Sequence, residues 1–266
     1  MSPADGAAID AAGRNVIAAM GNDLPGLWLG VWDARKGRHI GAYGKAALPN
    51  TAATAEDHSR IGSVSKTFTT ATILRLVDSG SLAMDSTVES VLPDLAKRHP
   101  SLGGITVRQL IDMTSGVVDY VNTGAIFKTL FDDPKKPWTP DQLIDLSQTM
   151  PNASPGTPGY TSTATIILGE MITAVSGRTL EESIVQTARD AGLTETALPA
   201  PNDTAMPAPA SHGYVFQPGV DSLAEVGAHL TPGTDVSDWS PSWGGAAGGM
   251  YSTVGDLGRW AGTGFG

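Results

Sequence analysis

The stretch "SRIGSVSKTFTTATILRL", Ser59–Leu76, places a serine and a lysine three residues apart, Ser63 and Lys66, at what reads as the start of a helix. Apolar Phe68, Ala71, Ile73, Leu74 and Val77 recur at helical spacing and Gly80 follows as a stop, so the pattern predicts a helix over residues 63–79. The plain reading makes Ser63 a helix cap and Lys66 a solvated first-turn residue. With 21 serines and seven lysines in the chain, roughly 0.5 Ser-x-x-Lys matches arise by accident, so the bare pattern is weak. A lysine at that end also opposes the helix dipole, which charge alone would not favour.

The chemical reading has more content. A serine hydroxyl is a poor nucleophile until a neighbouring base takes its proton. Residues three apart on a helix share a face, so Lys66 can bring its amine to Ser63 Oγ. A partly buried lysine among apolar neighbours is expected to lose basicity and offer a neutral amine. The positive end of the helix would stabilise negative charge at an attacked carbonyl, with the Ser63 N–H as one oxyanion donor.

Composition bounds the alternatives. A chain of 266 residues, 41% hydrophobic, can bury a substantial core in one or two domains. Its net charge of −10 argues against nucleic acid or an anionic membrane as main partner. Cysteine is absent, which removes disulfides, thiolate metal sites and a cysteine nucleophile. The five histidines (His39, His58, His99, His212, His229) lack zinc-site spacing, so no metal or other cofactor is expected. No apolar run is long enough to span a bilayer, and "MSPADGAAID" does not read as a signal peptide.

Along the chain, residues 7–20 read as a helix, and Leu27–Trp32 and His39–Tyr43 as a hairpin around "DARKG". Further helices are predicted over 106–113, 140–148, 163–175 (stopped by Gly177), 180–191 and 254–261, and residues 198–238 read mainly as loops.

The flanks of Ser63 carry a resemblance. "RIGSVSKTFTTATILRLVDSGSLAMDSTVESVLPDL", then "ITVRQLIDMTSGVVDY", "PGTPGYTSTATIILGEMITAVSGRTLEE" and "GGMYSTVGDLGRW" resemble, in order, the penicillin-recognising serine hydrolases. The nearest groups are the class C β-lactamases, the D-alanyl-D-alanine carboxypeptidases and related esterases. The rival α/β-hydrolase reading lacks its Gly-x-Ser-x-Gly elbow. The resemblance implies an α+β sandwich with an antiparallel sheet flanked by helices, and a mainly helical subdomain. Residues 1–84 would begin the α/β part, 85–177 form the helical subdomain, and 178–266 return to the α/β part.

The family's second motif is usually Tyr-x-Asn. The literal copy, "YVN" at Tyr120–Asn122, ends the Thr-Ser-Gly turn, where a non-catalytic tyrosine is common in the family. "YTS" at Tyr160–Ser162, after "PGTPG" and before a helix, is the better match. Tyr160 is therefore expected to share the proton with Lys66, and Ser162, in the usual asparagine's place, to contact substrate. Serine cannot offer an amide's separate donor and acceptor, which weakens the β-lactamase reading most.

The third motif, Lys-Thr-Gly or His-x-Gly on a late strand, does not follow Tyr160; the one "HIG", His39–Gly41, precedes Ser63. The expectation is that C-terminal strands are missing from this chain and that a second polypeptide supplies them. The expected function is acyl transfer through a serine ester to water, on a D-Ala-D-Ala-type peptide, a β-lactam or a small ester. A binding or regulatory protein with impaired turnover is the alternative, and an idle structural fragment a third reading. Family members often act outside the cytoplasm, an implication of the resemblance alone.

Overall fold

The computed structural model describes residues 1–217, Gly219 and 230–263. Residues 218 and 220–229 of the stretch read as loop over 198–238, His229 among them, and the last three residues of "GTGFG" lie outside the described residues.

Helix α1 (Pro3–Met20) opens with a capping box: Ser2 Oγ accepts from the Asp5 N–H while Asp5 accepts from the Ser2 N–H, satisfying two donors that a helix start leaves free. It packs on a hairpin of β1 (Gly26–Asp33) and β2 (Gly37–Ala47), antiparallel from Gly26↔Gly44 to Asp33↔Gly37, with short β3 (Thr51–Ala52) on the far side of β2. The hairpin runs further at both ends than its apolar core suggests, because main-chain pairing extends beyond the alternating side chains.

The segment leading to Ser63 is held by a pairing that the sequence does not announce. Strand β4 (Ser59–Arg60) lies antiparallel to a strand from the far end of the chain, Tyr251–Ser252. A 3-10 turn over Gly62–Val64 follows, and α2 (Ser65–Asp78) begins two residues later than expected. Ser63 is thus not the cap of α2: it sits in the turn before the helix, and no side chain caps that end.

Between α2 and residue 161, five helices bring the chain round: α3 (Val88–Val91), α4 (Pro93–Arg98), α5 (Val107–Ile111), α6 (Ala125–Asp132) and α7 (Pro140–Ser147). Three of them, α3, α5 and α7, start from a threonine capping box (Thr87, Thr106 and Thr139). Helix α8 (Ser162–Ser176) is buried along most of its length and ends at Gly177, which adopts the left-handed conformation glycine permits. Helix α9 (Leu180–Asp190), the short hairpin β5 (Tyr214–Val215) and β6 (Thr234–Asp235), a helical turn α10 (Gly245–Gly248), the strand Tyr251–Ser252 (β7) and α11 (Val254–Gly262) complete the described chain.

One core runs through α2, the central helices and α10, with Ile73, Leu102, Leu110, Ile144, Ile167, Met171 and Ala246 all buried. Helix α8 lies close on α10: a Cβ on Gly169 would come within 2.9 Å of Ala246 Cβ, so only glycine fits there. A second core joins α2 to α9 and α11, where the Phe68 and Trp260 rings stack at 4.1 Å and the Trp260 Nε1–H donates to Thr67 Oγ1. Both cores grip α2, and that fixes the base of the site. Among the described residues, no helix is long and apolar enough to cross a membrane.

Candidate active site

Ser63 owes its place to the β4–β7 pairing. The Ile61 N–H donates to the Met250 carbonyl at 3.1 Å, and the Met250 N–H donates to Ser65 Oγ at 3.2 Å, so the Gly-rich segment 244–252 lies along the start of α2. Two carbonyls of that segment are aimed at α2 side chains. Ala246 O accepts from Thr69 Oγ1 at 2.8 Å, and Ala247 O accepts from Lys66 Nζ at 2.9 Å.

Lys66 is 8% exposed. Its Nζ also donates to Ser63 Oγ at 3.3 Å and lies 4.8 Å from the centroid of the Tyr160 ring. The Tyr160 hydroxyl donates to Ser63 Oγ at 2.7 Å although the residue is 61% exposed. Ser63, Lys66 and Tyr160 therefore meet around one oxygen. Ser162, the first residue of α8, lines the same cleft.

A second loop pairing positions Tyr160. The turn Met113–Gly116 accepts from the chain that leads to it: the Gly159 N–H donates to Met113 O at 2.9 Å, Gly156 N–H to Thr114 O at 2.7 Å, and Ala153 N–H to Gly116 O at 2.8 Å. Gly116 has φ +73°, and a Cβ there would lie 2.4 Å from the Ala153 carbonyl oxygen, so both conformation and space require glycine. Asp119 ties the same turn to α8. It is buried, and its carboxylate accepts from the Val121 N–H at 3.1 Å and from the Ser162 N–H at 2.9 Å. A negative charge there also complements the positive end of α8.

The two tyrosines fare differently. Tyr120 is 1% exposed, its hydroxyl donates to the Trp243 carbonyl at 2.6 Å, and burial pushes its phenol far above the ordinary range, with the nearby Asp119 charge adding to the effect. Its side chain serves the packing between the turn and residue 243. The "HIG" segment lies elsewhere: His39 is in β2 with Nε2 2.7 Å from Asp10 Oδ1.

The cleft encloses about 650 Å³ and draws its lining from four stretches of chain, residues 60–66, 119–122, 160–162 and 236–248. Asp119, Trp239, Trp243 and the Ala247 carbonyl are contributions that motif reading did not single out. A backbone carbonyl has no sequence signature, and "DWSPSW" carries no periodicity that would place it beside Ser63. Among the described residues, no cluster of histidines and carboxylates could hold a metal ion.

A family model described as Beta-lactamase matches residues 13–265. Among solved structures, a D-stereospecific amidohydrolase from Streptomyces sp. superposes with a TM-score of 0.80 at 30% identity, over 94% of this chain and 71% of the other. A D-amino acid amidase from Ochrobactrum anthropi superposes with a TM-score of 0.75 at 22% identity, over 94% of this chain and 66% of the other, a likeness of fold. In sequence, penicillin-binding protein 4 of Amycolatopsis lactamdurans is 28% identical over 219 residues, 79% of this chain and 51% of that protein. A putative fimbrial assembly protein, FimD, of Dichelobacter nodosus is 30% identical over 123 residues, 46% of this chain and 30% of that protein. The chain thus spans from under a third to about half the length of these curated relatives. The expected α+β architecture agrees with these superpositions, and with a family match over nearly its whole length the chain belongs to the Beta-lactamase family.

Proposed function

We propose that the protein is a serine hydrolase that opens an amide or ester through a covalent acyl-enzyme, with Ser63 as nucleophile and Lys66 and Tyr160 as its proton-handling partners. The observation that carries this reading is the meeting of the Tyr160 hydroxyl (2.7 Å) and Lys66 Nζ (3.3 Å) at Ser63 Oγ. Lys66 and Tyr160, both within hydrogen-bond reach of Ser63 Oγ, together take up its proton as Oγ bonds to the substrate carbonyl carbon. The Ser63 N–H, at the head of α2, offers one donor to the resulting oxyanion. Tyr160 then passes the proton to the departing nitrogen or oxygen, leaving the acyl ester on Ser63. In the second half, water gives its proton to Tyr160, its oxygen bonds to the acyl carbon, and Ser63 regains its hydrogen. The likeness to a D-stereospecific amidohydrolase favours amides as acyl donors. Ser162 is assigned a substrate contact at the cleft wall.

The reading extends to a partner. Strand β1 has one edge without a strand neighbour among the described residues, and neither Lys-Thr-Gly nor His-x-Gly follows Tyr160 in the sequence. A strand from a second polypeptide on that edge would supply the other oxyanion donor. Ser162, in the place of the usual asparagine, favours the alternative of a binding protein with impaired turnover.

Exposure to a p-nitrophenyl ester followed by intact-mass analysis tests the nucleophile. One acyl adduct, mapped to Ser63 and abolished in Ser63→Ala, is expected; an unlabelled Ser63 overturns the assignment. Denaturing mass analysis of the purified active particle tests the partner, and full turnover from a lone 27.4 kDa chain overturns that part.

A further inference from the structure

Of the three charged groups of the cleft, Lys66 and Asp119 are engaged and Arg60 is engaged in part. Lys66 donates to Ser63 and to the Ala247 carbonyl. Asp119 accepts two backbone N–H groups. The Arg60 guanidinium donates from Nη2 to the Thr204 carbonyl at 2.9 Å while its buried Nη1 has no partner among the described residues, and burial lowers its basicity. Beside Asn122 and the unpaired Arg60 nitrogen, the larger side chains left to meet a substrate are apolar: Val121, Val236, Trp239 and Trp243. Of the two indoles, Trp243 packs against the main core and its carbonyl is held by Tyr120. Trp239 appears in neither core cluster of the described residues and is half-buried at the cleft wall.

The position of Trp239 is set in advance. Its ring meets Phe131 of α6 edge-on, 5.3 Å between centroids at 74°, and Phe131 in turn stacks on Phe127. Its own segment is stapled to residues 134–138: the Ser240 N–H donates to Pro134 O at 2.8 Å, the Trp138 N–H donates to Ser242 Oγ at 2.7 Å, and Lys135 pairs with Asp238. An indole held this firmly can receive a flat ligand group with little further ordering, which is how pre-organised walls gain affinity. A volume near 650 Å³ is in the usual range for small-molecule sites and has room for a ring beside the reacting carbonyl.

We infer that Trp239 is the specificity wall of an acyl-side subsite next to Ser63, and that the subsite takes an acyl donor bearing an aromatic ring on the acyl side. This deepens the serine hydrolase reading and rests on it for the word acyl. A ring packed edge-on or offset against the indole adds attraction beyond its burial, while a methyl group in the same place forfeits both. Phe131 acts only through Trp239 and is a positioning residue.

The test compares kcat/KM for p-nitrophenyl 3-phenylpropionate and p-nitrophenyl acetate, which share a leaving group. The intact protein is expected to prefer the phenylpropionate at least tenfold. Trp239→Ala should cut that ratio about tenfold, Phe131→Ala should cut it less, and Trp239→Phe should keep most of it. An unchanged ratio in a folded Trp239→Ala protein overturns the inference. A second readout needs no turnover: in Ser63→Ala, calorimetric binding of 3-phenylpropionamide should exceed that of propionamide at least tenfold. Equal binding of the two amides also overturns it. Failure of both esters to acylate Ser63, with the amide preference intact, would sink the hydrolase reading and leave the aromatic subsite standing.

Discussion

Replacing Tyr160 by phenylalanine removes one oxygen and separates chemistry from stability. The lost hydroxyl lies 2.7 Å from Ser63 Oγ, and a positioned acid–base group of this kind contributes about 10²–10⁴ in rate, or about 2.7–5.5 kcal/mol of barrier. The residue is 61% exposed, and a surface change that breaks no buried contact costs within about 0.5 kcal/mol. Tyr160→Phe should therefore lose at least a hundredfold in kcat/KM on an activated ester while its thermal midpoint stays near that of the parent. Tyr120→Phe is the matched control. Its hydroxyl is buried on the Trp243 carbonyl, and orphaning that acceptor costs about 1–3 kcal/mol. Each kcal/mol lowers the midpoint of a domain this size by about 2–4 °C. Activity should fall less than tenfold, since only the packing behind the cleft is disturbed. The reverse pattern, a large kinetic loss in Tyr120→Phe beside a mild one in Tyr160→Phe, would refute the assignment of the second motif and return it to Tyr120–Asn122.

Two further outcomes follow from the surrounding structure. Gly116→Ala forces a side chain into φ +73° and against the Ala153 carbonyl, so it should lose at least about 1–2 kcal/mol in urea unfolding; activity should fall with it, because the loop paired to Gly116 carries Tyr160. Tyr43 offers a pH test. Burial, then its hydrogen bond to Asp10 and that carboxylate's charge, push its phenol up to about 12. The folded protein holds the proton that the unfolded chain releases near about pH 10, so this stabilisation is complete below that pH and is lost as pH rises towards 12. Tyr43→Phe should flatten the decline in the urea midpoint between those values, and an unaltered slope would contradict burial and the Asp10 contact as its cause.

Much of the architecture was legible because helix periodicity and its punctuation are local. The apolar spacing of residues 68–77 with Gly80, the run 163–175 with Gly177, and the hairpin around residues 33–37 each depend on neighbours within a few positions. The offset at Ser63 was not legible in that way. Its 3-10 turn is imposed by the pairing of Ser59–Arg60 with Tyr251–Ser252, a contact across about 190 residues of sequence.

The candidate site divides along the same line. Ser63, Lys66, Tyr160 and Ser162 could be named from the chain because motif spacing is a one-dimensional property, and a resemblance carries it. How they act on one another belongs to three dimensions. The carbonyl of Ala247 that holds Lys66, the Asp119 carboxylate that anchors the start of α8, and the Trp239 wall fastened to Phe131 come from segments far apart in sequence. The sequence alone thus determined which side chains are proposed for the chemistry, since that proposal rests on residue type and local spacing. Only the tertiary structure decided which proton donor faces Ser63 and which stays buried, because burial and hydrogen-bond partners are set by packing between distant elements.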